Sequence, residues 1–230
     1  MDVNKINARY FSKGAQLELY KHHYLDLLPP EKVLFPRYIS GADKVLDLGC
    51  GAGRTTARIG ELAGEVIGTD ISEVMVETAQ DKNPGLEFRV MDAARIVYPD
   101  AQFDVVVFSY NGPSYLYPEE KRQSSMREVH RVLKNNGKFI FSSFTRYPPY
   151  TLSSLVNLVV TRLLMGLRTR YKIHVTRHGV TVNFEPSPEE EVQLLEAMGF
   201  VLDEMMPMAE KVGFFGYTPD ISTYYVFSKR

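Results

Sequence analysis

Three aspartates and one glycine cluster carry the chemistry that can be read from this 230-residue sequence. Val45-Leu46-Asp47-Leu48-Gly49-Cys50-Gly51-Ala52-Gly53-Arg54 reads as a short apolar strand running into a tight turn that opens a helix. Residues without side chains let a ligand lie against the backbone, and a helix N-terminus favours negative charge. The spacing is Gly-x-Gly-x-Gly, which differs from the Gly-x-Gly-x-x-Gly of dinucleotide sites. Asp47, just before it, would repel a pyrophosphate and attract an ammonium. Asp70 ends a second apolar run 21 residues after Gly49, the separation at which an acid meets ribose hydroxyls. Asp92 closes a third run, where a carboxylate can accept from an adenine amino group. The three acids at successive strand ends call for a ligand with an ammonium, a ribose diol and an adenine, and without a required phosphate.

The elements that must position these acids follow from the pattern. Lys44–Leu48, Glu65–Asp70, Leu86–Met91, Phe103–Ser109 and Gly137–Phe144 are short β-rich runs, of the continuous apolar kind that suits strands buried on both faces of a parallel sheet. Helices are expected between them over Arg54–Leu62, Ser72–Gln80 with Ser72 as N-cap, and Pro118–Lys134, the last closed by a left-handed cap at Asn135-Asn136-Gly137. Ser187-Pro188-Glu189-Glu190 is a capping box opening a helix to Met198, with two further strands at 200–203 and 223–228. Residues 1–43 read as helices broken at Pro29-Pro30. This βαβ rhythm implies one doubly wound α/β domain spanning 1–230.

VLDLGCGAGR (45–54), VIGTDIS (66–72), VMDAA (90–94), FDVVVFSYN (103–111) and REVHRVLKNNGKFIFSSF (127–144) together resemble the class I S-adenosylmethionine-dependent methyltransferases of the small-molecule type. The resemblance implies a Rossmann-like, mostly parallel seven-stranded sheet with the last strand antiparallel, a helical N-terminal cap over 1–43 and S-adenosylmethionine as cofactor, leaving as S-adenosylhomocysteine. Carried over, Asp47 and the loop Gly49, Cys50, Gly51 and Gly53 hold the methionine end, and Asp70 holds the ribose. Ile71 and Met75 pack near the adenine, Asp92 and Ala93 read it, and Ser109 faces the methionyl portion. Two alternatives keep their place: a protein or RNA methyltransferase, and a non-catalytic subunit or sensor that binds the same cofactor.

Direct transfer from a sulfonium needs an unprotonated O, N or C nucleophile held in line. The groups available to shape that acceptor site are Tyr110, Asn111, Tyr115 and Tyr117 after the fourth strand, Tyr10, Tyr20, His22 and His23 in the cap, and His174 and His178 further on. None is singled out as catalytic. The Asp/Asn-Pro-Pro-Tyr/Phe pattern of DNA amino-methyltransferases is broken at Asn111-Gly112-Pro113-Ser114, and no metal site is expected.

The segment 145–186 is longer than a direct crossover requires. It is read as a helical insertion built on TLSSLVNLVVTRLLMGL (151–167), with a basic stretch after it. It could act as a lid over an apolar or anionic acceptor, as a homodimer contact in a chain otherwise monomeric, or as a peripheral membrane contact through 151–172. The charge distribution bears on all three. The chain carries 27 basic and 28 acidic residues, a net charge of −1 that gives no global argument for nucleic acid. From Val129 to Phe184, however, there is no acid at all and nine basic residues. One cysteine, Cys50, precludes an internal disulfide and suits a cytoplasmic setting.

Overall fold

The computed structural model describes residues 2–12, 18, 26–145, 152–166, 170–176, 179–208 and 222–230. Its centre is a seven-stranded sheet in the order β3-β2-β1-β4-β5-β9-β8, made of β1 (Lys44–Leu48), β2 (Glu65–Asp70), β3 (Glu87–Val90), β4 (Phe103–Phe108), β5 (Leu133–Phe144), β8 (Phe200–Met208) and β9 (Ser222–Lys229). Strands β1 to β5 pair in parallel, and β9 runs antiparallel between β5 and β8. The order reverses between β1 and β4, so the ends of both strands open onto one crevice, the place where ligands bind in doubly wound sheets.

Successive residues of the central strands feed opposite cores, as the pleat demands. Val106 and Phe108, Phe139 and Phe141, and Tyr225 and Phe227 point to one face. There they meet Met126, Val129 and Val132 of α5 (Glu119–Val132) and Leu195 of α7 (Pro188–Ala197). Val105 and Val107, Ile140, and Tyr224 and Val226 point to the other. These meet Leu34 and Phe35 of α2 (Pro29–Tyr38) and Ile59 of α3 (Arg54–Gly60). Helix α4 (Glu73–Lys82) follows β2, with the Ser72 hydroxyl accepting from the Met75 N–H at its start.

Pro29 and Pro30 open α2 directly after the non-helical residues 26–28, where a missing N–H costs nothing. Two local expectations are corrected. Helix α5 ends at Val132 with Leu133 already extended, so the left-handed residue Asn136 (φ 63°) sits inside β5 and caps no helix. The insertion is only partly helical. After α6 (Leu152–Met165) the chain forms a separate hairpin of β6 (Tyr171–Thr176) and β7 (Gly179–Phe184). Alternation in IHVT and VTVN was its available signal, masked by the basic residues around it.

The hairpin carries the first helix. Asn7 of α1 (Val3–Ser12) donates to the Tyr115 carbonyl at 3.1 Å and to the Val182 carbonyl at 2.9 Å, and accepts from the Val182 N–H at 2.9 Å. Val3 packs with Tyr171, Val182 and Phe184. A buried Arg122–Glu191 ion pair, with the guanidinium 4.7 Å from the Phe184 ring, ties α5, α7 and β7 together beneath it.

Candidate cofactor and acceptor site

The crevice between β1 and β4 holds a cavity of about 380 Å³, a size suited to a small organic ligand. Its lining includes the glycine turn, Asp70, Ile71 and Asp92, together with Phe11, Tyr110, Tyr115 and Leu116, and Asn4 and Asn7 of α1.

The turn is held open by the strand ends beneath it. Asp70 Oδ2 accepts from the Gly51 N–H at 3.0 Å, and its Oδ1 from the Ser72 N–H at 2.8 Å. One carboxylate therefore fixes both the loop and the start of α4, although burial pushes its acid form to be favoured more than usual. Gly51 sits at φ 54°, and a Cβ built there would meet no atom within 4 Å. Its bare face is open space, which is the cradle a nucleoside-bearing ligand requires. Ile71 leaves 62% of its surface exposed and lines this space as an apolar platform.

The expected cofactor residues divide in two. Gly49, Cys50, Gly51 and Ser109 line the cavity, as do Asp70, Ile71, Met75, Asp92 and Ala93. Asp47 and Gly53 lie behind its wall. Asp47 is buried, and its Oδ2 accepts from the hydroxyls of Thr55 and Thr56 at 2.7 Å each. Its Oδ1 has no hydrogen-bond partner among the described residues. Burial pushes this carboxyl up to about 6, against the pull of the two threonine hydroxyls. Thr55 reaches the cavity directly, so Asp47 is linked to the cavity through the threonine it holds. Cys50 is buried with its thiol pushed well up by desolvation, a state unsuited to a nucleophile. Asp92 carries Lys121 on its Oδ2 at 2.8 Å and caps the Ala94 N–H with Oδ1.

Sequence reasoning missed a buried charged pair at the cavity wall. Arg54 lines the cavity and pairs with Glu31, a fully buried carboxylate of α2. Glu31 also accepts from the Ser109 hydroxyl, from the Tyr224 hydroxyl at 2.9 Å and from the Leu28 N–H at 2.6 Å. Burial raises the Glu31 carboxyl, and Arg54 with Ser109 pulls it back below its ordinary value. The signal was present, an arginine directly after the last glycine, but its partner lies 23 residues upstream in a helix with no motif.

The acceptor candidates separate as well. Tyr110 and Tyr115 line the cavity. Tyr110 and Asn111 both adopt left-handed backbone, at φ 53° and 60°, a conformation costly for residues with a Cβ and concentrated at functional sites. Asn111 turns to the sheet, donating to Ser222 Oγ at 2.9 Å. Tyr117 packs edge-on against Tyr171, and Tyr10 against Phe11. His174 is bound to Glu185 at 2.6 Å and stacks on Phe144, away from the cavity. His22, His23, Tyr20 and His178 lie outside the described residues. The Phe108 ring lines the cavity and lies against both Gly49 and Gly112. A Cβ at Gly49 would come within 2.8 Å of it, and one at Gly112 within 2.0 Å.

Residues 45–137 match the family model described as a methyltransferase domain. An eEF1A lysine and N-terminal methyltransferase of Bos taurus is 27% identical over 166 residues, 70% of this chain and 22% of that protein. Phosphoethanolamine N-methyltransferase 1 of Zea mays is 34% identical over 110 residues, 46% of this chain and 21% of that protein. The chain spans half or less of the length of the curated relatives it matches. The solved structure of a SAM-dependent methyltransferase from Methanosarcina mazei superposes with a TM-score of 0.74 at 20% identity, covering 89% of this chain and 99% of that one. The fold is that of the class I enzymes. Among the described residues, no helix is long and apolar enough to cross a membrane, and no cluster of metal-binding side chains occurs.

Proposed function

We propose that this chain is a class I S-adenosylmethionine-dependent methyltransferase and that it methylates a small molecule held beside α1, a reading supported by the family match over 45–137 and by the fold. The observation that carries the reading is the single cavity joining the glycine turn to a chamber walled by Phe11, Tyr110 and Tyr115. S-adenosylmethionine supplies an electrophilic methyl group on sulfur. Asp70 would take the ribose hydroxyls, while Ile71 and Met75 would receive the adenine face and Asp92 its amino edge. Asp47 and Arg54 place opposite charges beside the methionine end, suited to its ammonium and carboxylate. The bare backbone at Gly51 fits this group.

Beyond Ser109 the chain's own contribution is positioning. Apolar and aromatic walls displace water and favour the neutral, nucleophilic form of an amine. The phenol oxygens of Tyr110 and Tyr115 could accept a hydrogen bond from an acceptor O–H or N–H and so orient its lone pair toward the methyl group. A protein lysine or N-terminal amine is the second reading, supported by the relative that aligns over 70% of this chain.

The test is calorimetric titration with S-adenosylhomocysteine, followed by a panel of small amines, phenols and carboxylates scored for S-adenosylhomocysteine release. Binding with turnover of a small acceptor supports the proposal. Binding with transfer only to protein lysines selects the second reading. Failure to bind the nucleoside removes both.

A further inference from the structure

Helix α6 is built inside out. It buries Thr161, whose hydroxyl accepts from the Ile173 N–H at 3.1 Å, while Val156, Val159, Val160, Leu163 and Leu164 face solvent. Those positions follow the i, i+3, i+4, i+7, i+8 spacing of one helical face. Leu163 keeps 75% of its surface exposed. On the adjoining hairpin Val175 and Val180, a cross-strand pair, are exposed too. A contiguous apolar face of this kind marks an interaction surface.

Charge identifies what it meets. The three basic residues of the acid-free stretch that belong to the sheet framework have close acids: Arg131 binds Asp100 and Glu128, Lys134 binds Asp104, and Lys138 binds Asp203. On the insertion, Arg162 stands exposed at the edge of the apolar face, and Arg170 approaches Glu119 only to 3.8 Å. A 14-residue helix is about 21 Å long, too short for the ~30 Å core of a bilayer. An apolar face with arginine at its edge and no acid on the helix suits lying in an interface.

We propose that α6 seats the chain on an anionic lipid surface, with Val156, Val159, Leu163 and Leu164 entering the headgroup boundary and Arg162 and Arg170 meeting lipid phosphates. The cavity residues come from other elements, so docking leaves the cofactor site free.

Flotation with vesicles of phosphatidylcholine mixed with an equal part of phosphatidylglycerol tests this. The full chain should float with mixed vesicles and bind pure phosphatidylcholine roughly thirtyfold more weakly, the worth of about two basic side chains. Leu163→Glu with Leu164→Glu, and separately Arg162→Glu with Arg170→Glu, should each abolish flotation while thermal unfolding and S-adenosylhomocysteine affinity stay unchanged. Three outcomes overturn the proposal: a wild-type monomer that stays unbound; variants that float as well as wild type; and a wild-type dimer, dissociated by the leucine substitutions, that ignores vesicles. The last would make a second copy of this chain the occupant.

Discussion

Arg54 donates from Nη1 and Nη2 to the two carboxylate oxygens of Glu31, at 2.5 and 2.8 Å, and so fastens the helix opening the glycine turn to α2. The pair is a bidentate one, with Glu31 fully buried and Arg54 nearly so. Glu31→Ala would leave an uncompensated cation beside the cofactor cavity. The expected cost is about 3–5 kcal/mol of stability, read by urea unfolding, together with weaker S-adenosylhomocysteine binding. Unchanged affinity would detach this pair from the site. Because the folded Glu31 carboxyl lies below its ordinary value of 4.5, its stabilisation is present above that pH and is lost as the pH falls further.

Asp47 should behave in the opposite sense. Its folded value of about 6 exceeds the ordinary 3.8, so the unfolded chain releases the proton first. Its contribution therefore makes the fold less stable as pH rises from about 4 to about 6, and is level beyond. Asp47→Asn should raise stability at neutral pH by up to about 3 kcal/mol yet weaken S-adenosylhomocysteine binding. Wild-type affinity should fall as the pH is lowered through about 6, and the variant's should not. Parallel pH profiles in the two proteins would exclude Asp47 from ligand attraction.

Asp70→Ala removes the acceptor for the Gly51 and Ser72 N–H groups as well as the proposed ribose contact. Cofactor affinity should drop by roughly 1–3 kcal/mol, the scale of hydrogen bonds to a charged group. Calorimetry with S-adenosylhomocysteine measures it, and an affinity equal to wild type would remove Asp70 from the site.

Asn7→Ala cuts three hydrogen bonds that join α1 to the hairpin and to the Tyr115 backbone. Amide exchange over residues 3–12 should accelerate at least about tenfold, since α1 then opens locally without global unfolding. Exchange unchanged from wild type would show that Val3 and its apolar neighbours suffice.

Breaking the buried Arg122–Glu191 pair by Glu191→Ala should cost about 3–5 kcal/mol, whereas Arg122→Met combined with Glu191→Leu should recover most of it. Thermal or urea unfolding of the two variants distinguishes them. Equal losses would mean that the 4.7 Å contact of the guanidinium with the Phe184 ring, and not the ion pair, matters most.

The sheet and the glycine-turn side of the cavity were legible because their signals are local. Asp47, Asp70 and Asp92 each sit at the end of an apolar run, and the run fixes the strand that aims them. The acceptor half was not, because it is assembled from distant segments. Asn7 becomes a site residue only through Val182, 175 residues away, and Glu31 only through Arg54. The β6–β7 hairpin escaped notice because its neighbouring helix is strongly apolar and its own strands are short and half-polar. Nor does the insertion line the cavity among the described residues; it supports α1, which does.

Phe108 makes the two halves of the site a single mechanical part. Its ring occupies the space that side chains at Gly49 and Gly112 would need, so the glycine turn and the loop after β4 both rest against one edge of the same aromatic ring. Acceptor preference can then drift freely at Tyr110 and Tyr115, while Gly49, Phe108 and Gly112 must travel as a set. A loop graft that brings in a new acceptor chamber without that trio would be expected to disturb the nucleoside it was never meant to touch.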